Sequence, residues 1–146
     1  AIDNDDQNFP WFYNRFVDDN KKGEMTDHFY FAHLLLTNNV INSEYYNSVL
    51  PLIDKIAPKA LIRVKANAYP KIGNKIIRHR QHTDHPFEHK GAIFYLNTNN
   101  GKTVLEDGTE IDSVANRVLF FNPGEPHSST SCTDAKMRFN ININYF

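Results

Sequence analysis

The sequence predicts a mainly β domain with supporting helices, built as a β-sandwich or jelly roll. Three features carry that expectation. One segment, 43–57, has helical spacing. The rest of the chain breaks into many short β-prone runs separated by turn signals, and the last ten residues, "MRFNININYF", alternate apolar and polar strictly. With 146 residues, 40% of them apolar, the chain can bury one proper core, and no repeat or low-complexity linker divides it. One domain over 1–146 is the simplest organisation, with supporting strands and a helix in 1–58 and the jelly-roll core in 59–146.

Taken in order, "FPWFYNRFV" (9–17) and "DHFYFAHLLL" (27–36) are aromatic and β-prone, and polar "DDNKKGEMT" between them suggests a strand pair. "SEYYNSVLPLIDKIA" (43–57) reads as a helix, with Ser43 as N-cap and Tyr46, Val49, Leu50, Ile53 and Ile56 at helical spacing. Pro51 inside it should kink or divide the helix. After Pro58 the texture turns to strands: 60–69, 75–84, 91–97, "KTVLE" with an Asp107–Gly108 turn, and "TEIDSV". "NRVLFFN" (116–122) is apolar on both faces and should be sandwiched between layers. "NPGEP" is a tight turn, and 137–146 forms the last strand, with Phe139, Ile141, Ile143 and Tyr145 on one face and Arg138, Asn140, Asn142 and Asn144 on the other.

Charge and composition exclude several classes. A formal charge of −1 argues against a nucleic-acid backbone as the main partner. No apolar run approaches membrane-spanning length, and the acidic start "AIDNDDQNFP" is unlike a signal peptide. Cys132 stands alone, so no intrachain disulfide framework is expected. A cytoplasmic setting, the chain's own or that of an infected host, fits these features.

Chemistry concentrates in "RHRQHTDHP" (78–86). In a regular strand, His82 and Asp84 share a face, while His79 and His85 point away. An imidazole and a carboxylate on one face can take two adjacent positions on a metal. His127 is the best third ligand, because it follows an apolar strand and a turn that would return the chain to the same sheet end. Two histidines and one carboxylate leave three positions of an octahedral ion open, the facial-triad arrangement of non-haem Fe(II) oxygenases. The H-x-D tripeptide alone carries little weight in a chain with seven histidines. His28, His33, His79 and His89 are assigned to structure or surface. If the polar face of the last strand turns into a jelly-roll cavity, Arg138 could clamp a carboxylate with two parallel hydrogen bonds.

The stretch from about Leu61 to Phe146 resembles the Fe(II)- and 2-oxoglutarate-dependent dioxygenases, particularly the prolyl 4-hydroxylase-like branch. The likeness is carried by "ANAYP", "RHRQHTD", "IFYLN", "NRVLFFNPGEPH" and "MRFNININYF", in the family's order. The resemblance implies a double-stranded β-helix, the cupin-like form of the jelly roll. It implies Fe(II) held by His82, Asp84 and His127, and 2-oxoglutarate held through its distal carboxylate by Arg138 with help from Tyr95. It sets Tyr69 near the pocket mouth and Asn67, Asn140 and Asn142 along the cavity. The implied enzyme is a hydroxylase using 2-oxoglutarate and O₂, releasing succinate and CO₂, and acting on a peptide or small-molecule substrate such as an amino-acid side chain, proline among them. The ending is also similar to the nucleic-acid demethylase branch, but the second arginine of that branch falls here on Asn144, which argues against repair. Substrate contacts are expected in loops 70–78, 85–90 and 98–103. Two other readings stay open: a non-catalytic jelly-roll ligand or metal-binding module, and a cupin-like metalloprotein that does not use 2-oxoglutarate.

Overall fold

The β-strands of the computed structural model, which describes residues 8–15 and 28–146, form two antiparallel sheets. The "DDNKKGEMT" connection lies outside the described residues. The larger sheet begins with β1 (Phe12–Arg15) and β2 (Phe29–Thr37), the strand pair expected from their aromatic runs. β3 (Val40–Ile41) folds back on β2 through Asn38 and Asn39, whose φ angles of 50° and 61° suit the two left-handed positions of a tight hairpin turn.

The helical segment then packs on this sheet. Ser43 accepts the Tyr45 N–H at 3.2 Å and opens a 3₁₀ segment, Glu44–Val49. α1 (Leu50–Ile56) follows, with Pro51 in its first turn, where no N–H is needed. The expected division at Pro51 is therefore real, and its physical form is a change of helix type. α1 ends at Ala57, left-handed at φ 51°, with its N–H on the Ile53 carbonyl.

The remaining strands are β4 (Leu61–Pro70), β5 (Lys90–Tyr95), β6 (Asn99–Val104), β7 (Glu110–Ser113), β8 (Val118–Phe121), β9 (Ser128–Ser129) and β10 (Met137–Tyr145). The large sheet runs β1-β2-β4-β10-β5-β8, with β3 on β2, and the small sheet runs β7-β6-β9. β6 and β7 are joined by the expected Asp107–Gly108 turn, where Gly108 takes φ 86°.

The two faces of β10 explain the layering. Ile141, Ile143 and Tyr145 join Leu35, Leu36, Val64, Ala66 and Ala92 in a core closed by Tyr46, Val49 and Ile53 from the helical segment. The opposite face, Arg138, Asn140, Asn142 and Asn144, is also buried. It is covered by the small sheet: Arg138 bonds to Ser113 on β7, Thr103 on β6 and Ser129 on β9. The polar stripe of the last strand thus faces inward, between the sheets of a jelly roll.

Three expectations fail here. Residues 116–122 are not sandwiched between layers: β8 is the edge strand beside β5, and Phe120 is 61% exposed. Residues 98–103 do not form a loop but enter strand β6. Residues 75–84 do not form a regular strand, having only isolated bridges at Arg78 and His82.

The core assignment predicts that Ile143→Ala destabilises the fold by ~2–5 kcal/mol in urea unfolding, through lost transfer energy and a cavity. Phe120→Ser should stay within about 0.5 kcal/mol of the parent, as for an ordinary surface change.

Candidate metal centre

His82, Asp84 and His127 come together through backbone pairing. The His82 N–H donates to the His127 carbonyl and the His127 N–H to the His82 carbonyl, each at 2.9 Å, and the Asp84 N–H donates to the Pro123 carbonyl at 3.0 Å. The turn at 122–125 supports this return, with Asn122 Oδ1 accepting the Gly124 N–H at 3.0 Å. A residue pair exchanging both backbone hydrogen bonds brings its side chains to one side of the ladder. The two imidazole centroids are 4.6 Å apart, and one ligand atom from each of the three residues lies within 4.8 Å of the others.

Each side chain is oriented for a shared ion. His127 Nδ1 is 2.8 Å from the Glu125 carbonyl and His82 Nδ1 is 3.3 Å from the Arg80 carbonyl. A carbonyl only accepts, so Nδ1 carries a proton in both rings, and Nε2 is the nitrogen that donates to Asp84 when protonated and offers a lone pair to a metal when not. Both Nε2 atoms face Asp84 Oδ1, at 3.3 Å from His82 and 3.2 Å from His127. The other carboxylate oxygen is held from behind: Oδ2 accepts from Asn144 at 2.9 Å and from Asn142 at 3.3 Å, and Arg63 Nη2 lies 3.8 Å away. Burial pushes the Asp84 carboxyl up, yet hydrogen bonds with His127, His82 and Asn144 outweigh it and hold the group well below the usual carboxylate range. Burial presses the His127 imidazole down, and the Asp84 and Glu125 contacts raise it overall. Two neutral nitrogens and one carboxylate oxygen on one side suit a borderline divalent cation such as Fe(II) or Zn(II).

These residues open on a cleft between the sheets, lined also by Tyr30, Lys65, Asn67, Tyr69, Asn140 and Asn142. Asn67, Tyr69, Asn140 and Asn142 lie on its wall, with Asn67 Nδ2 donating to Asn140 Oδ1 at 3.0 Å. Arg138 and Tyr95 sit one layer back. Arg138 is fully buried; Nε donates to Ser113 Oγ at 2.8 Å, Nη2 to Thr103 Oγ1 at 3.1 Å and Nη1 to Ser129 Oγ. Tyr95 shares a 2.8 Å hydrogen bond with the same Thr103 hydroxyl. The guanidinium lies 5.3 Å from the Tyr69 ring centroid and 5.8 Å from that of Tyr95. Among the described residues no carboxylate is within ion-pair distance of it. Burial lowers its pKa despite the nearby tyrosines. Burial pushes the Tyr69 phenol up to about 12, against the Arg138 charge.

The other histidines stand outside the triad, and several of them are buried. His33 is buried among Phe9, Phe12 and Tyr45. His79 stacks on Tyr69 at 5.3 Å, and burial, with His28 and Arg138 nearby, lowers its pKa to about 3, so it is neutral. His85 stacks on Phe87 at 5.4 Å, and His89 is buried with Nδ1 on the Phe87 carbonyl at 2.8 Å. The sequence reading missed Lys65, Tyr30, Arg63, Asn144 and the hydroxyls of Thr103, Ser113 and Ser129. Alternation along β4 was a usable signal for Arg63 and Lys65, which share the face of Asn67 and Tyr69. No local signal marks the hydroxyls.

No family model matches the chain, and no curated protein matches it by sequence. Solved structures are similar in fold. An oxidoreductase of the 2OG-Fe(II) oxygenase family from Burkholderia pseudomallei is 14% identical with a TM-score of 0.61, over 81% of this chain and 66% of that one. A prolyl-4-hydroxylase from Pseudomonas putida is 18% identical with a TM-score of 0.54, over 80% and 68%. A prolyl hydroxylase from Trichoplax adhaerens, in complex with a hypoxia inducible factor oxygen degradation domain peptide fragment, is 18% identical with a TM-score of 0.54, over 80% and 62%. The chain thus spans about two thirds of the length of these proteins. Cupin proteins and a transcriptional regulator are among the other similar structures. At such identities the likeness establishes the jelly-roll, double-stranded β-helix fold and leaves activity to the site itself. Among the described residues, no helix is long and apolar enough to cross a membrane.

The geometry predicts that Mn(II) binding, measured by isothermal titration calorimetry, is abolished in Asp84→Ala. Asn144→Ala should retain the fold and bind Mn(II) about 10–100-fold more weakly, because Asp84 Oδ2 loses its shortest hydrogen bond.

Proposed function

We propose that this chain is a single 2-oxoglutarate- and Fe(II)-dependent oxygenase domain, hydroxylating a peptidyl or free amino-acid substrate in the manner of a prolyl 4-hydroxylase. The donor set fits the metal: two imidazole Nε2 atoms with protonated Nδ1 partners, and one carboxylate oxygen whose twin is already satisfied. His82, Asp84 and His127 would hold Fe(II). When bound with 2-oxoglutarate and O₂, that ion supplies the redox chemistry that turns the cosubstrate into succinate and CO₂ and hydroxylates a substrate C–H bond.

One observation favours this reading over a metal site of another kind, and it is Arg138. Among the described residues, the hydrogen-bond acceptors of this fully buried guanidinium are three neutral hydroxyls, and no carboxylate stands as its counter-charge. Thr103 and Ser129 line the cleft and bond to Arg138 behind them, so an acid entering the cleft meets their hydroxyls and, through them, the guanidinium. The distal carboxylate of 2-oxoglutarate is such an acid. Tyr95, tied to Thr103, would orient that hydroxyl. Tyr69, stacked between His79 and Tyr30 and facing the guanidinium, would fix one wall of the cosubstrate channel. Asn67 and Asn140 brace each other on the sheet between the two ends. The protein's part is orientation and charge.

A second reading follows from the same residue. The Arg138 donors that are described already have hydroxyl partners and the side chain does not itself line the cleft, so it could be structural in a metal-binding jelly roll that takes no 2-oxoglutarate. The two readings part on binding.

With Mn(II)-loaded protein, 2-oxoglutarate should bind, and Arg138→Met should weaken it at least 100-fold, the ~3–5 kcal/mol of a broken buried charge pair. With Fe(II) and O₂, succinate should form, and Asp84→Ala should form none. Unchanged 2-oxoglutarate affinity in Arg138→Met, or full succinate production by Asp84→Ala, overturns the assignment.

A further inference from the structure

β4 presents Arg63, Lys65, Asn67 and Tyr69 in turn to the inner face of the large sheet. Three of them have tasks already described. Arg63 lies near Asp84, Asn67 bonds to Asn140, and Tyr69 faces Arg138. Lys65 has none. It lines the same cleft as His82, Asp84 and His127, and among the described residues no carboxylate lies within 4.0 Å of its ammonium. Its contacts are a long hydrogen bond to the Tyr30 hydroxyl, 3.4 Å, and the Tyr30 ring, whose centroid is 5.4 Å away. Burial and the Arg63 charge lower its pKa to about 8, so it remains mostly protonated at neutral pH. An ammonium has three donors, and a partly desolvated one without an ion-pair partner is costly.

Register separates this group from the Arg138 end. Arg138 pairs with Tyr69 on β4, and Lys65 lies four residues away along the same strand, ~13 Å at strand rise. Lys65 pairs instead with Asn142, which donates to Asp84. It therefore stands beside the metal position, on the β2 side with Tyr30, away from the guanidinium that the distal carboxylate of the cosubstrate would use. Asp84 does not serve as its partner, since Oδ1 faces the two imidazoles and Oδ2 is held by Asn142 and Asn144.

We propose that Lys65, with the Tyr30 hydroxyl beside it, is the recognition point for a carboxylate of the primary substrate, and that this substrate is therefore an acid. The carboxylate has two sources: the α-carboxylate of a free amino acid, or the side chain of Asp or Glu in a peptide. The inference rests on the oxygenase reading only in calling the ligand a primary substrate.

The test is a calorimetric titration of Mn(II)-loaded protein, saturated with N-oxalylglycine as an unreactive 2-oxoglutarate analogue. The probes are the N-acetyl amino acids as free acids and as amides, together with N-acetyl-aspartate and N-acetyl-glutamate α-amides. At least one carboxylate probe should bind ten or more times tighter than its uncharged counterpart. Preference for free acids indicates a small substrate, and preference for the two acidic α-amides a peptide. That preference should fall below threefold in both Lys65→Met and Lys65→Gln, while their N-oxalylglycine affinity stays within twofold of the parent. The proposal is overturned if no probe binds, if acid and amide bind alike, if the preference survives in the variants, or if N-oxalylglycine binding falls tenfold with Lys65. Should N-oxalylglycine fail to bind the parent protein, the oxygenase reading fails separately, and the same titration on Mn(II)-loaded protein alone decides the role of Lys65.

Discussion

The reciprocal hydrogen bonds between His82 and His127 hold the site together. Forty-five positions separate the two residues, and the segment carrying His82 belongs to no regular strand. Without those two bonds nothing local would set the imidazoles side by side. With them, the pair behaves like one rung of an antiparallel ladder, and the Asp84–Pro123 bond repeats the tie two residues on. The chain uses main-chain pairing, which tolerates sequence change, to bring three distant side chains together.

The large sheet supplies what surrounds that rung. One face of β10 seals the hydrophobic core against the helical segment, and the other carries Asn140 and Asn142 on the cleft wall with Arg138 and Asn144 buried behind it. Asparagine suits this position because each amide can donate while remaining neutral. Asn142 and Asn144 hold Asp84 Oδ2 without adding charge beside the metal position, and Asn140 receives Asn67 across the strand pair. The strand serves as core wall and as scaffold for the site, so stability and site geometry are coupled along its length.

Much of this was legible in the chain, though not always for the right reason. Strict alternation in 137–146 marked a strand with a polar face, and the polar face proved to be the buried wall of the cleft. His82, Asp84 and His127 were picked out by assuming a regular strand over 75–84. The three do converge, but through bridges that alternation cannot foresee. Residues 98–103 looked like a loop because Asn and Gly are poor strand formers. Gly101 is there for another cause: a Cβ at that position would meet Arg138 Cδ at 2.5 Å, so the strand approaches the guanidinium only without one. Phe120 looked like a core residue because apolar runs read alike in edge and central strands, and pairing order, which puts β8 at the edge, is not a local property. The Asn38–Asn39 hairpin was readable from turn chemistry and was missed.

The charges around the cleft set its preference for ligands. Arg63, Lys65 and Arg138 contribute three cations, and Asp84 is the only carboxylate among the described residues lining the cleft. A divalent metal would raise that positive excess further, since His79 is neutral and the two ligand imidazoles would bind through unprotonated nitrogen. In a partly desolvated space such an excess repels cationic ligands and rewards anionic ones. Asparagines separate the cations along the sheet, so two acids can be held at different ends instead of competing for one spot. Arg138 faces Tyr69 and the β6–β9 hydroxyls, while Lys65 faces Tyr30 and the level of Asp84. A dicarboxylate cosubstrate at one end and an acidic substrate at the other would together balance the positive excess that the described residues place around the cleft.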